Sequence, residues 1–270
     1  MPALTAVIFD WAGTIVDFGS NAPMGAFVET YKQFNVDISI EEARQPMGLP
    51  KWQHIEALMH NHRITDAWVV AQGHKPTTDD IDAVFRVFTP MNARVVSQHA
   101  TLIPGAAATI DALRDRGLKI GSTTGYTRDI MEPLLPLAAR QGYAPDNLVC
   151  AGDLKAGRPS PLMMYRCFAE LGVYPPWTVV KVDDTAPGIA EGKAAGTWTV
   201  GVAVSGNAMG LTEAQYRELP DEERAFRRDH AHAVLRQCGA DVVIDSVADL
   251  LPVIDAIELR LAAGERPPAP

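Results

Sequence analysis

Cysteine is nearly absent from this chain: three residues in 270, at positions 150, 167 and 238, odd in number and with no CxxC pair. Such spacing argues against a disulfide framework or a thiolate metal cage and fits buried free thiols in a reducing compartment. Basic charge is also in deficit, 24 Lys and Arg against 33 Asp and Glu, for a net charge of -9. A broad surface for nucleic acid or anionic lipid is therefore not expected, although a local basic pocket for a small anion stays open. No apolar run approaches the ~20 residues of a membrane span, and the first one stops early with no basic segment before it. The expectation is a cytoplasmic protein with no membrane partner. Repeats and low-complexity blocks are missing too, apart from a Pro-rich tail after Gly264 that is expected to be frayed.

What remains is ordinary globular composition, 47% hydrophobic and 21% charged, in a chain long enough for a core domain plus an insert. Short β-branched runs alternate with helical patterns. Residues 6–9 (AVIF), 118–122, 179–182, 197–202 and 241–244 read as strands, with helical spacing at 106–116 (closed by Gly117) and 161–171. The alternation implies βαβ units: a Rossmann-like α/β fold, a parallel sheet covered by helices on both faces. Between residues 20 and 100 no strand is convincing, and 26–34, 51–60 and 78–88 have helical spacing, with Pro23 and Pro50 suited to first turns. The expected organisation is a core domain of 1–19 and 101–270 carrying an all-helical cap domain, 20–100, placed as a lid.

Ligands of such sheets gather beyond the carboxyl ends of the strands. Four side chains fall there. Asp10, ending the run 7-VIFD-10, is either a nucleophile toward phosphorus or a turn-capping carboxylate. Thr124, in 121-GSTTGYTRD-129, offers a hydroxyl to a phosphate oxygen or merely caps a helix. Arg158, in 156-AGRPSP-161, either neutralises nucleophile and phosphate or is a solvated loop residue. Asp184, in 180-VKVDDTAPGI-189, can share Mg²⁺ with Asp10.

Their order and spacing resemble the haloacid dehalogenase-like superfamily, the matching pieces being FDWAGT, STTG, the Arg of AGRP, and VDDT. The resemblance covers nearly the whole chain, the inserted helical cap included. One residue departs from the pattern. Phosphatases of that superfamily carry a second Asp two places after the nucleophile to protonate a leaving oxygen. Here the position is Ala12, which offers only its backbone carbonyl, plausibly to the metal. The protein is then inactive, or expels a halide, or expels a carbon stabilised in some other way.

The cap favours the third reading. In 46-PMGLPKWQHIEALMH-60, Lys51 falls in the first turn of a helix, where the macrodipole disfavours its ammonium form, and burial under a lid acts the same way. A neutral amine is what imine formation requires. His54 follows at i+3 on the same face, placed to exchange protons. The bland alternative is an exposed Lys and a surface His. The segments FDWAGT, EEARQPMGLPKWQH, RGLKIGSTTGYTR, AGRPSP and AGTWTVGV carry a closer resemblance, to the phosphonatase family within the superfamily.

That resemblance implies a reaction: hydrolysis of the C–P bond of phosphonoacetaldehyde to acetaldehyde and phosphate, in the breakdown of 2-aminoethylphosphonate. It would pass through a Lys51 Schiff base and an Asp10 aspartyl phosphate, which needs no acid at position 12. The resemblance also implies Mg²⁺ held by Asp10, the Ala12 carbonyl and Asp184, and substrate or phosphate held by Thr124, Arg158, Gly125, Gly48 and Ser20. Gly48 would lie in the cap loop that reaches the substrate, and Met47 and Tyr126 near the imine. It further implies a homodimer. Ser20 stands where some members have cysteine, and Gly188 where many have an acid four places after the metal-binding Asp; Asp183 is the candidate substitute. The competing readings are a 2-haloacid dehalogenase, a phosphate-ester phosphatase, and a catalytically dead binding module. The charged stretch after Leu211 reads as a solvated surface helix.

Overall fold

The computed structural model describes residues 4–268; positions 1–3 and 269–270, the outer ends of the first core segment and of the Pro-rich tail, lie outside the described residues. The first strand, β1 (Ala6–Phe9), is wholly buried, Val7 and Phe9 facing one side of the sheet and Ala6 and Ile8 the other. Six helices follow before the next strand, the first five being α1 (Ala22–Lys32), α2 (Ile40–Arg44), α3 (Lys51–Met59), α4 (His62–Gln72) and α5 (Thr78–Gln98). The chain then runs α6 (Ala106–Asp115), β2 (Lys119–Thr127), α7 (Arg128–Ala139), β3 (Val149–Ala151), α8 (Leu162–Leu171), β4 (Val179–Asp183) and α9 (Ala186–Ala195). It closes with β5 (Trp198–Val202), α10 (Glu213–Glu218), α11 (Asp221–Gln237), β6 (Val242–Ile244) and α12 (Leu250–Ala262).

The six strands form one parallel sheet, ordered β3-β2-β1-β4-β5-β6. Helices α6, α7 and α12 cover one face, and α8, α9 and α11 the other. This is the expected α/β architecture. Register fixes the consequence: Phe9 lies opposite Ser122 on one neighbour and Val182 on the other. The next residues along, Asp10, Thr123 and Asp183, therefore line up at one edge. Among the described residues no helix is long and apolar enough to cross a membrane.

Local chemistry explains the inserted helices. Ser39 and Glu42 form a capping box on α2, Thr77 and Asp80 another on α5, and Gly73 ends α4 in the left-handed conformation. The insertion buries its own apolar cluster, with Phe27 stacked between His54 and Phe88 at 4.1 and 4.2 Å. Each buried aromatic there contributes roughly 1.5–3 kcal/mol.

Several expected features differ. Pro23 does sit in the first turn of α1, but Pro50 is the N-cap of α3. Helix α5 continues ten residues past 88, through Pro90, and α2 and α4 were not anticipated. β3 was missed, being only three residues long. β2 extends to Thr127, so Thr124 is a strand residue and not a loop residue after it. The charged stretch after Leu211 is not simply solvated: α11 lays Ala231, His232 and Leu235 against the sheet.

Candidate active site

Three carboxylates meet at the strand ends. Asp10, Asp183 and Asp184 each present an oxygen within 4.8 Å of the others, and all three are buried. Asp184 accepts from the Asn207 amide at 2.7 Å and from the Thr14 hydroxyl at 3.3 Å. Asp183 accepts from the Thr185 amide at 3.0 Å and the Thr185 hydroxyl at 2.7 Å. Thr185 thus orders this turn and also caps α9. The guanidinium of Arg158 lies 2.8 Å from Asp10 and 3.1 Å from Asp183.

These carboxylates compete for too little positive charge. Burial and the Asp183 charge push Asp10 up to about 6, against the pull of Arg158 and Lys181. Burial, then Asp10 and Asp183, push Asp184 well above the carboxylate range. Burial also opposes ionisation of Asp183, but Arg158 and Lys181 outweigh it and hold that carboxyl below its usual value. With Glu191, four buried carboxylates face two buried cations, Arg158 and Lys181. The donor set is hard oxygen and the uncompensated charge is two, which fits a divalent cation of the Mg²⁺ type. Asp10, Asp183 and Asp184 could hold it.

The remaining wall comes from the insertion. Asp10, Ala12, Met47, Gly48, Lys51, Thr124, Gly125, Tyr126, Arg158 and Thr185 line one cavity of about 20 Å³. That is room for roughly one water. The Met47–Pro50 loop closes over the strand ends so tightly that a Cβ on Gly48, at φ +94°, would lie 2.3 Å from the Thr185 hydroxyl. Across the seam a Cβ on Gly125 would lie 3.0 Å from the Leu49 carbonyl.

Lys51 opens α3 and is 2% exposed. Its Nζ lies 3.7 Å from Met47 Sδ, 5.2 Å from the Tyr126 ring centre and 5.7 Å from that of Phe27. Burial pulls its pKa down to about 7, with Arg158 adding to the effect and Asp10 and Asp184 opposing it. An amine half-neutral near pH 7 can act as a nucleophile.

Three of the expected residues are not in the cavity wall: Asp184, which lies in the carboxylate cluster, His54 and Ser20. His54 lies behind Lys51, its Nε2 donating to the Ala43 carbonyl at 2.8 Å, which leaves Nδ1 as a buried acceptor without a protein partner. Burial, then the Lys51 charge, hold this imidazole neutral, well below its usual range. Ser20 is fully buried at φ +52°, its hydroxyl likewise unpartnered among the described residues. Tyr126 lines the cavity with a buried, unpartnered hydroxyl. Sequence reasoning passed over Lys181 and Glu191, which with Thr123 surround Arg158 from behind. A signal was present: Lys181 is a lone charge in the otherwise apolar VVKV run of a central strand.

Comparison with known proteins places these features in a family. A model for haloacid dehalogenase-like hydrolases matches residues 4–196. A protein of Paraburkholderia xenovorans named phosphonoacetaldehyde hydrolase is 55% identical over 267 residues, covering 99% of this chain and 100% of its own length. One of the same name from Klebsiella pneumoniae is 49% identical over 269 residues, again with 99% and 100% covered. The crystal structure of a phosphonoacetaldehyde hydrolase-like protein from Oleispira antarctica superposes with a TM-score of 0.97 at 44% identity, over 99% of this chain and 96% of that one.

Proposed function

Because the chain belongs to the phosphonoacetaldehyde hydrolases of the haloacid dehalogenase-like superfamily, we propose that it hydrolyses the C–P bond of phosphonoacetaldehyde to acetaldehyde and phosphate. The observation that carries the mechanism is Lys51, a buried amine lowered to about 7 in the same cavity as Asp10.

The neutral Lys51 amine adds to the aldehyde carbon, and with one proton taken up from solvent and relayed through the Tyr126 hydroxyl, water leaves to give a protonated imine. The Asp10 carboxylate then attacks phosphorus. As the C–P bond breaks, its electron pair moves into the iminium, leaving an enamine on Lys51 and an acyl phosphate on Asp10. Water attacks the acyl phosphate, releasing phosphate and restoring the carboxylate. The enamine takes a proton at carbon, and hydrolysis of the resulting imine frees acetaldehyde and Lys51. No leaving oxygen needs an acid, which is why Ala12 suffices beside the nucleophile.

Arg158, Thr124, Gly125 and Gly48 orient the phosphonate. Met47, against the amine, keeps that end of the cavity dry, and Tyr126 supplies a hydroxyl for proton transfer at the imine. His54 accepts protons only indirectly, from behind Lys51, and Ser20 supports the loop after β1. Mg²⁺, held by Asp10, the Ala12 carbonyl and Asp184 with Asp183 behind them, would screen the repulsion between carboxylate and phosphonate. The insertion, residues 20–100, acts as the cap that opens for substrate and closes for chemistry. The protein is further proposed to act as a homodimer in phosphonate breakdown; Val70, 88% exposed on α4, is an apolar side chain that a cap-mediated interface would cover.

The test is borohydride reduction with phosphonoacetaldehyde or acetaldehyde, followed by intact mass and peptide mapping. The expected adduct maps to Lys51 and is absent from Lys51→Arg. Full turnover by Lys51→Arg, with no adduct in the native protein, would redirect the assignment to dehalogenase or phosphatase chemistry.

A further inference from the structure

Arg158 reaches the cavity from a loop, and a loop does not by itself hold a guanidinium in one orientation. The groups behind it do. Its Nε donates to Glu191 Oε2 at 3.1 Å, and its Nη2 to the Thr123 carbonyl at 2.8 Å. Glu191 Oε2 also accepts from the Thr123 hydroxyl at 2.8 Å and lies 3.4 Å from Lys181 Nζ. Lys181 in turn donates to Thr123 Oγ1 at 2.8 Å and pairs with Asp183 at 3.0 Å. Lys181, Asp183 and Glu191 are each 0% exposed.

So many charges fit between a strand and a helix only because the helix leaves space. Lys181 and Asp183 point the same way from β4, two residues apart, under α9. A Cβ on Gly188 of α9 would lie 2.0 Å from the Asp183 carboxylate, and one on Gly192 would lie 2.7 Å from Lys181 Cβ. Gly188 is thus not merely a missing acid: Asp183 occupies the volume a side chain at 188 would need. A plain apolar seam would be the cheaper way to pack this helix, since breaking or burying such ion pairs is costly. Two glycines inside a ten-residue helix also sacrifice roughly 0.5–1 kcal/mol each relative to alanine.

We propose that Lys181, Asp183 and Glu191 form a buried positioning unit for Arg158, housed in the space left by Gly188 and Gly192, and that it sets the orientation of the guanidinium toward phosphate. This rests on the reading above that Arg158 holds the phosphonate. None of the three residues lines the cavity, so they act through Arg158 and, for Asp183, through Asp10 and Asp184 as well.

Charge and position make opposite predictions for Glu191. If Glu191 only balances charge, Glu191→Gln raises the local positive potential and tightens phosphate binding. If it positions Arg158, the substitution loosens the guanidinium, and phosphate binds more weakly despite the added charge. The experiment is calorimetric titration of the Mg²⁺-loaded protein with inorganic phosphate, alongside steady-state kinetics and thermal unfolding, for wild type, Glu191→Gln, Gly188→Ala and Arg158→Lys. We expect phosphate affinity and kcat to fall about tenfold or more in Glu191→Gln, the scale of one charge-assisted hydrogen bond, at a temperature where the unfolding curve shows the variant still folded. Gly188→Ala, which by helix propensity alone should stabilise the protein, is expected to lose phosphate affinity through displacement of Asp183. Unchanged or tighter phosphate binding in both variants, with kcat within twofold of wild type, overturns the proposal. Arg158→Lys separates the two levels: if it too leaves phosphate binding intact, the fault lies with the assignment of Arg158 itself.

Discussion

Lys51 shows how one residue's chemistry is set by where the chain places it. An ordinary lysine is almost wholly protonated at neutral pH, and the first turn of a helix is an unfavourable place for a cation. Near-complete burial adds the larger effect and brings the group to about 7. The sign is definite: the reactive form is neutral, so its fraction rises with pH and reaches one half near 7 instead of above 10. Borohydride trapping of acetaldehyde at Lys51 should therefore climb from pH 6 to pH 8 and then level off. A yield that keeps climbing to pH 10 would mean that Lys51 titrates as an exposed amine. Lys51, Asp10, Thr124, Arg158 and Asp184 were legible in the sequence because each sits at a motif or a helix start, where local pattern indicates chemistry. Glu191 was not, since its partners Arg158 and Thr123 lie 33 and 68 residues away and nothing local announces them.

At the scale of elements, the central strands were readable because parallel strands buried on both faces are continuous apolar runs. β2 was cut short after Ser122 because Thr123–Thr127 lacks an apolar run; what keeps that part extended is pairing with β3, which a single segment cannot reveal. The expected helix stopped at residue 88, yet packing against α1 and α7 carries α5 onward through Pro90 to Gln98. The capping box of α2 and the Asn61 cap and Gly73 terminus of α4 were in the sequence to be used. Where α5 returns to the core, His99 Nδ1 lies 3.1 Å from Asp17 Oδ1, and Asp17 Oδ2 accepts from the Ala22 amide at 2.8 Å. The hydrogen bond to Asp17 raises the His99 pKa above 6.5. A raised pKa contributes stability that is fully present below the unfolded value and disappears as pH rises through the folded one. The stability difference between wild type and His99→Gln, measured by urea unfolding, should be largest near pH 5.5 and shrink by pH 8. A difference independent of pH would show that the pair acts without charge.

On the scale of the whole molecule, a cavity of about 20 Å³ has room for roughly one water, and the proposed opening of the insertion is what would admit substrate. Arg44 is a tie opposing that movement. From the end of α2 its guanidinium donates to the Gly19 carbonyl at 2.7 Å, to Asn21 Oδ1 at 2.9 Å and to Asn207 Oδ1 at 3.1 Å, joining the insertion to two core loops. Removing these charge-assisted bonds should shift the balance toward the open form by about 2 kcal/mol, roughly thirtyfold. In Arg44→Ala, amide exchange should rise across 47–51 and 206–210 while α4 and α5 keep their protection, and KM should increase. Uniformly faster exchange throughout the insertion would instead mark Arg44 as a folding residue.

The Asp17 carboxylate does more than pair with His99. It touches both the residue where the chain enters the insertion and the residue where it returns, so the two crossings lie within the span of one side chain. A segment whose ends already meet costs its host little loop-closure entropy, whatever its length. Such a segment can be shortened, lengthened or exchanged for another without shifting the register of any strand. The sheet then behaves as a socket: lineages could change what they recognise by replacing the plug, while the phosphorus chemistry at the strand ends stays where it is.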